Sequence, residues 1–354
     1  MKRDNNPYSM SFGRIPGRFI SRDIVVEEVL DTLNADPPTE MAFKLTGIRG
    51  AGKTVTLSEI ERELRKDDDW IIVDLKSGGD ITNDLVSELY SNGGFISKYV
   101  DANLNLSAFG IGLKVSKKSP VSSIDVALKK LLEEIDKKNK KVLVVIDEIR
   151  KTDAIVDFIQ EFQILIREEL PIYMIVAGLY KDIEDVENTE GLTFFLRAEN
   201  IEMTPLSIGI IREDYKQTLG LSPEIAEKLA QMTKGYAFAY QAFGKYMWDE
   251  GGDKISDMVL AQVDNALANK VYNKIWSELS ETEKWYMGFI VKKEKMKVNE
   301  LLEITKKTHK EWSRPRQGLK EKRLIDTSER GEIRLVLPRF KQFVEEKQLY
   351  GDTL

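Results

Sequence analysis

The 354-residue sequence predicts a doubly wound α/β domain on a parallel sheet, then a small helical segment, then a winged-helix module. Three patterns carry that expectation. Short apolar runs alternate with stretches of helical period through roughly the first 200 residues. A glycine-rich turn joins one of those runs to a helix. Roughly the last 80 residues switch to three short helices and two short strands around a turn.

Taken in order, Met41 to Thr46 reads as a strand with Phe43 and Leu45 on one face. Gly47-Ile48-Arg49-Gly50-Ala51-Gly52-Lys53-Thr54 follows, and after Val55 the apolar positions Leu57, Ile60 and Leu64 recur at helical spacing. Strand, G-x-x-x-x-G-K-[ST] and helix form the arrangement that binds phosphate. The glycines let backbone N–H groups turn inward, and the helix adds its positive N-terminal end. Lys53 suits the β- and γ-phosphates of a triphosphate, and the Thr54 hydroxyl suits Mg²⁺.

Trp70 to Leu75 is the next strand. Ser122 with Asp125 reads as the start of a helix carrying Val126, Leu128, Leu131, Leu132 and Ile135. Asn103 to Val115 alternates and reads as an inserted hairpin or a loop. Lys141 to Ile146 is continuously apolar after its first residue, the pattern of a strand buried on both faces. It ends in Asp147-Glu148, at the carboxyl edge where open α/β sheets bind ligands. Asp147 is the candidate for the Mg²⁺ shell, and Glu148 for the general base that activates water. Tyr173 to Ala177 and Asn200 to Thr204 complete a five-stranded set.

Composition removes other chemistries. The chain has no cysteine and one histidine, which excludes thiolate metal sites, disulfides and cysteine nucleophiles and leaves no multi-histidine centre. No apolar run approaches the ~18 residues of a membrane span, and Met1 to Tyr8 is polar, so the chain is read as cytoplasmic with no membrane partner. The net charge of -6 is unevenly distributed. Val271 to Leu354 holds 19 Lys/Arg against 14 Asp/Glu, and Lys292 to Lys341 holds 16 against 8. A basic segment on an acidic body is compatible with a nucleic-acid footprint or with a solvated basic face.

With these motifs placed, the sequence resembles the AAA+-type P-loop ATP-binding proteins, in the branch sharing its plan with archaeal and eukaryotic origin-recognition ATPases. Asn6-Pro7-Tyr8 through Phe12-Gly13, Phe19 to Asp23, the Gly47 to Thr54 loop, Ile146-Asp147-Glu148, Ala177-Gly178-Leu179, Leu196-Arg197-Ala198 and Thr204-Pro205-Leu206 fall in the family's order. The resemblance implies an ATPase using ATP and Mg²⁺. It implies an adenine pocket edged by Phe19, Ile20 and Arg22. Arg197 would be an arginine finger acting in a neighbouring subunit's site, which requires a homo-oligomer. The sequence departs from the family at two places. Ala177-Gly178 lacks a polar sensor residue, and Gly235 to Ala242 lacks the arginine of the second sensor, with Gln241 the nearest polar side chain. Those departures favour slow turnover.

The expected division is a P-loop ATPase domain over 1–206, a helical lid over 207–270 and a winged helix over 271–354. In the lid, Ser222-Pro223 caps a helix carrying Ile225, Leu229 and Met232, Gly235 closes it, and the aromatics Tyr236 to Trp248 read as core. In the last module, Ser280-Glu-Thr-Glu283 is a capping box, and helices are expected near Val298 to Thr305 and Trp312 to Lys322. Pro315 belongs in a first turn on that reading. Ser328 to Gly331 is the turn of a two-stranded wing, and His309 is an exposed loop residue without chemistry. Arg314, Arg316, Lys320 and Arg323 on the third helix, with Arg330 and Arg334 on the wing, are the candidates for contact with double-stranded DNA. The competing reading is a slow or non-hydrolysing ATP-dependent signalling scaffold (STAND-like) whose winged helix docks protein. A small-molecule kinase with the same loop is disfavoured by the lid and the C-terminal module.

Overall fold

The computed structural model describes residues 5–11, 13, 15–92 and 124–351. Phe12, the Asn103 to Val115 stretch and the Ser122 cap lie outside the described residues. The chain divides into two compact units, one of Arg22–Gly47 with Lys53–Glu202, the other of Met1–Ser21, Ile48–Gly52 and Met203–Leu354.

The first unit holds α1 (Asp23–Asn34), β1 (Ala42–Thr46), α2 (Lys53–Leu64), β2 (Trp70–Leu75), α3 (Ile81–Asn92), α4 (Ile124–Asp136), β3 (Lys141–Ile146), α5 (Asp153–Arg167), β4 (Ile172–Gly178), α6 (Tyr180–Glu187), α7 (Thr193–Arg197) and β5 (Glu199–Glu202). All five strands run parallel in the order β2-β3-β4-β1-β5. β1 and β4 are buried along their whole length, as central strands covered on both faces must be. β5 begins one residue earlier than expected and ends at Glu202, not Thr204. It is an edge strand with only Ile201 buried, so pairing to β1 alone sets its length.

The register aligns the strand ends. Leu75 pairs with Ile146, Ile146 with Val176, and Gly178 with Thr46. The turns after β1, β2, β3 and β4 therefore leave from one edge of the sheet. Lys44, at the middle of β1, is a fully buried lysine. Its Nζ donates to Glu187 Oε1 at 2.6 Å and to the carbonyls of Phe195 at 3.0 Å and Leu196 at 3.2 Å. A buried ammonium demands such satisfaction, and here it also caps the end of α7.

The second unit contains α8 (Ile208–Leu219), α9 (Pro223–Thr233), α10 (Ala237–Glu250), α11 (Asp257–Leu267), a π turn at Ala268–Tyr272 and α12 (Asn273–Ser277). Ser222 Oγ accepts from Ile225 N, with Pro223 at the first helical position. The aromatics Tyr236, Phe238, Tyr240 and Phe243 are buried in the unit's core. There follow α13 (Glu281–Ile290), β6 (Lys295–Lys297), α14 (Val298–Thr305), α15 (His309–Glu321), β7 (Ile325–Asp326), β8 (Glu332–Leu335) and α16 (Phe340–Leu349). Their strands form an antiparallel sheet in the order β6-β8-β7.

α15 corrects two expectations. It starts at His309, not Trp312, because Thr308 and Glu311 form a complete capping box. His309 is exposed but is the first residue of the helix, not part of a loop. Pro315 then lies inside the helix, where it costs about 3 kcal/mol or more. Trp312, Pro315 and Leu319 are all buried on one face, so core packing and the cap offset the lost backbone bond.

Candidate functional site: a phosphate loop and a carboxylate edge

Gly47 leaves β1 with its N–H donating to Gly178 O at 3.3 Å, which ties the loop's first residue to β4. Gly50 and Gly52 take positive φ of 73° and 98°, conformations that side-chain-bearing residues rarely adopt. α2 begins at Lys53, and the Lys53 Nζ folds back to donate to Gly47 O at 2.8 Å. One residue on, Thr54 Oγ1 donates to Asp147 Oδ2 at 2.6 Å. The other Asp147 oxygen accepts from Glu148 N at 2.9 Å. A lysine, a hydroxyl and a carboxylate are thereby gathered at the carboxyl ends of β1 and β3.

Glu148 has φ of 54°, and its side chain is exposed. Left-handed backbone at a non-glycine residue is costly and clusters at functional sites. Ile149 N donates to Ala177 O at 2.9 Å, so the chain after the strained residue is pinned to β4. An open cleft of about 490 Å³ runs along this edge, lined by Asp74, Lys76, Ser77, Asp147, Glu148 and Arg150 among others.

The donor set fits a hard divalent cation. A threonine hydroxyl and a carboxylate oxygen lie side by side, and Mg²⁺ takes one or two carboxylates plus phosphate oxygens rather than a full protein cage. Among the described residues no cluster of three or more acidic or histidine side chains forms such a cage. The loop fits an anion equally well, with two positive-φ glycines and a helix start.

The remaining sequence candidates distribute as follows. Phe19 and Ile20 are half-buried in the unit that holds α8 to α16, and Arg22, in the sheet unit, immediately precedes α1. Burial pulls the Arg22 guanidinium below its ordinary value. Arg197 is the exposed last residue of α7, beside Leu196, whose side chain is also exposed. Lys44, which the sequence reading passed over, fixes the carbonyls just before it. Gly178 has no space for a sensor side chain, because a Cβ there would lie 2.9 Å from Ile149 Cγ2 and 3.2 Å from Ile183. Gln241 is occupied: its Oε1 accepts from Ser9 N at 2.9 Å and its Nε2 donates to Arg18 O at 2.7 Å.

In the C-terminal module Arg314, Arg316 and Lys320 are exposed on α15, with Arg323 just beyond it. Arg316 Nη2 donates to Thr327 Oγ1 at 3.3 Å. Arg330 is exposed in the turn between β7 and β8. Arg334 pairs with Glu329 and lies 3.8 Å from Glu332, while Lys295 pairs with both of those glutamates. The β6-β8-β7 sheet and its β7-β8 turn therefore neutralise much of their own charge.

The fold and the loop are of the P-loop NTPase type. Residues 22–166 match the KAP family P-loop domain, and residues 269–344 match a domain of unknown function, DUF8462. No curated protein matches the sequence. Among solved structures the chain is similar to Cdc6p of Pyrobaculum aerophilum at 15% identity, covering 99% of both chains with a TM-score of 0.50. It is also similar to the ORC2 protein of Aeropyrum pernix in ADPNP–ADP complexes, at 13% identity, 99% of both chains and a TM-score of 0.57. The fold is thus that of the Cdc6/ORC type of P-loop NTPase.

Proposed function

We propose that the chain is a Mg²⁺-dependent adenine-nucleotide switch with slow ATPase activity. The observation that carries the reading is the 2.6 Å contact between Thr54 Oγ1 and Asp147 Oδ2, which joins the two motifs at one point. Gly47 to Thr54, with Val55 at the next turn, would hold the phosphates, and Phe19, Ile20 and Arg22 the base. Thr54 and Asp147 would hold Mg²⁺, which when bound neutralises charge on the phosphate oxygens. Lys53 would give up Gly47 O for the β- and γ-phosphates. Glu148 would accept a proton from the attacking water. Arg197, exposed at the end of α7, would act on the site of a neighbouring copy.

Slow turnover is favoured by the apolar plug of Ile149 and Ile183 at Gly178 and by the occupation of Gln241. The module boundaries would be 1–206, 207–270 and 271–354, the last a winged helix. Its basic α15 face would contact double-stranded DNA through Arg314, Arg316, Lys320 and Arg323, with Arg330 beside it. The self-paired wing favours one second reading, in which this module docks protein and ATP is held rather than cleaved.

Titration calorimetry with Mg-ATP tests the first claim. Wild type is expected to bind, and Lys53→Ala to weaken binding by about 1.5–3 kcal/mol through loss of a charge-assisted contact. Undiminished affinity in that variant would remove the loop from its role. Binding of a short duplex that weakens linearly with log salt separates DNA contact from protein docking.

A further inference from the structure

Ile48 to Gly52, the middle of the phosphate loop, are held by one turn of the unit they belong to. Tyr236, the residue before α10, is buried, and its Oη donates to the carbonyl of Arg49. Two residues on, Phe238 N donates to the carbonyl of Gly50 at 3.1 Å. A Cβ at Gly50 would collide with the Tyr236 hydroxyl, so the approach requires glycine there whatever the phosphate requires. The Arg49 side chain is fixed as well, with Nη2 donating to Glu278 Oε1 at 3.0 Å, just beyond α12.

These contacts set the peptide planes of the loop. In a trans peptide the C=O of one residue and the N–H of the next point in opposite directions. Pinning Arg49 O on Tyr236 therefore turns the Gly50 N–H to the side away from Tyr236. Pinning Gly50 O on Phe238 N fixes the next peptide plane as well, whose Ala51 N–H donates to Ile48 O at 3.3 Å and closes a turn. A nest of inward N–H groups binds an anion well only if it need not reorganise first.

We propose that Tyr236 is a positioning residue that preorganises the phosphate loop through Arg49 O. The proposal rests on the nucleotide reading above. It extends that reading by assigning part of the phosphate affinity to a hydroxyl that touches no phosphate.

Tyr236→Phe tests it, because the ring stays and only the hydroxyl leaves. Calorimetry with Mg-ATP and with Mg-tripolyphosphate should show both ligands weakened by a similar factor of about 5 to 10, the amount one lost hydrogen bond yields. Equal affinity for both ligands in the two proteins would overturn the proposal. Binding of neither ligand by wild type would instead overturn the nucleotide reading itself. A second measurement needs no ligand: amide hydrogen exchange over Ile48–Gly52 should accelerate several-fold in Tyr236→Phe while exchange in β3 and β4 stays as in wild type. Unchanged exchange in the loop would sink the idea even if nucleotide affinity fell, and acceleration throughout the chain would assign Tyr236 to general stability instead.

Discussion

Asp147 and Asp214 are the same chemical group in opposite situations. Asp147 sits half-buried at the carboxyl end of β3, accepting one hydroxyl from Thr54 and one N–H from Glu148. Asp214, in α8, is buried and saturated. It accepts from Tyr8 Oη at 2.7 Å, from Tyr240 Oη at 2.8 Å, from Thr218 Oγ1 at 3.2 Å and from the Arg18 guanidinium. Burial, followed by hydrogen bonding to Asp214, pushes the Tyr8 hydroxyl far above its usual range, and the bond to Asp214 raises Arg18. The difference separates a carboxylate that closes a structure from one that still has lone pairs for a cation. Asp214 has no acceptor capacity to offer a ligand. Asp147 has some, and its neighbour Glu148 keeps an exposed carboxylate on strained backbone.

The largest effect is expected where a carboxylate is least occupied. Glu148→Gln should lower ATP turnover by about 10²–10⁴-fold, the usual contribution of a general base, while leaving Mg-ATP affinity close to wild type. Steady-state phosphate release and calorimetry on the same preparation check both halves. Turnover equal to wild type would place the base elsewhere. Glutamine also tolerates the 54° φ no better than glutamate does, so strain alone cannot separate the two proteins.

The closed carboxylate should respond in the opposite currency. Asp214→Ala strands two buried tyrosine hydroxyls and is expected to lower stability by about 2–4 kcal/mol. Chemical denaturation with both far-UV and tyrosine signals measures it. The comparison breaks if Asp214→Ala is neutral in stability, because the cluster would then be an incidental contact.

A third carboxylate lies between these extremes. Glu61 on α2 is largely buried, and burial together with the neighbouring Asp74 pushes its carboxyl up to about 7, against the opposing pull of Arg65. Its folded-state value is raised, so its contribution favours folding below the unfolded value near 4.5 and is lost as pH rises through 7. Glu61→Gln should therefore raise stability at pH 8 by about 1 kcal/mol and change little at pH 4.5. Melting curves at the two pH values test the sign. A variant less stable at pH 8 would mean that the Arg65 contact outweighs burial.

These contrasts also show what the sequence could reveal. The strand, glycine-rich turn and helix around Gly47 to Thr54, and the continuous apolar strand that ends before Asp147, were legible because each is a local pattern. The start of α15 was missed by three residues: the helix was expected from Trp312, whereas the capping box of Thr308 and Glu311 starts it at His309. The bonds that define the closed regions join residues far apart in the chain: Tyr8 to Asp214 across 206 positions and Tyr236 to Arg49 across 187. No periodicity records such pairs. Lys44 escaped for a related reason, since a lysine in a strand reads as a solvent-facing break until its three acceptors are in place. Glu148's positive φ has no signature in a sequence that places glutamate there.

The smallest effects concern cations, where occupied and open groups again differ. Arg314, Lys320 and Arg330 are exposed and have no ion pair among the described residues, whereas Arg334 faces Glu329 and Glu332. If the C-terminal module meets duplex DNA, each unpaired cation that touches phosphate releases counterions, and removing it should shallow the plot of log affinity against log salt by about 1. Arg314→Ala is expected to do so, with a loss of affinity shared by all duplex sequences. Arg334→Ala should leave the slope as in wild type, because its charge is already balanced by the two glutamates and its removal frees them to oppose phosphate only weakly through solvent. Fluorescence anisotropy with a labelled duplex across a salt series resolves the two slopes. Equal slopes for Arg314→Ala and wild type would take α15 off the nucleic acid, and a shallower slope for Arg334→Ala would show that β8 exchanges its ion pairs for phosphate.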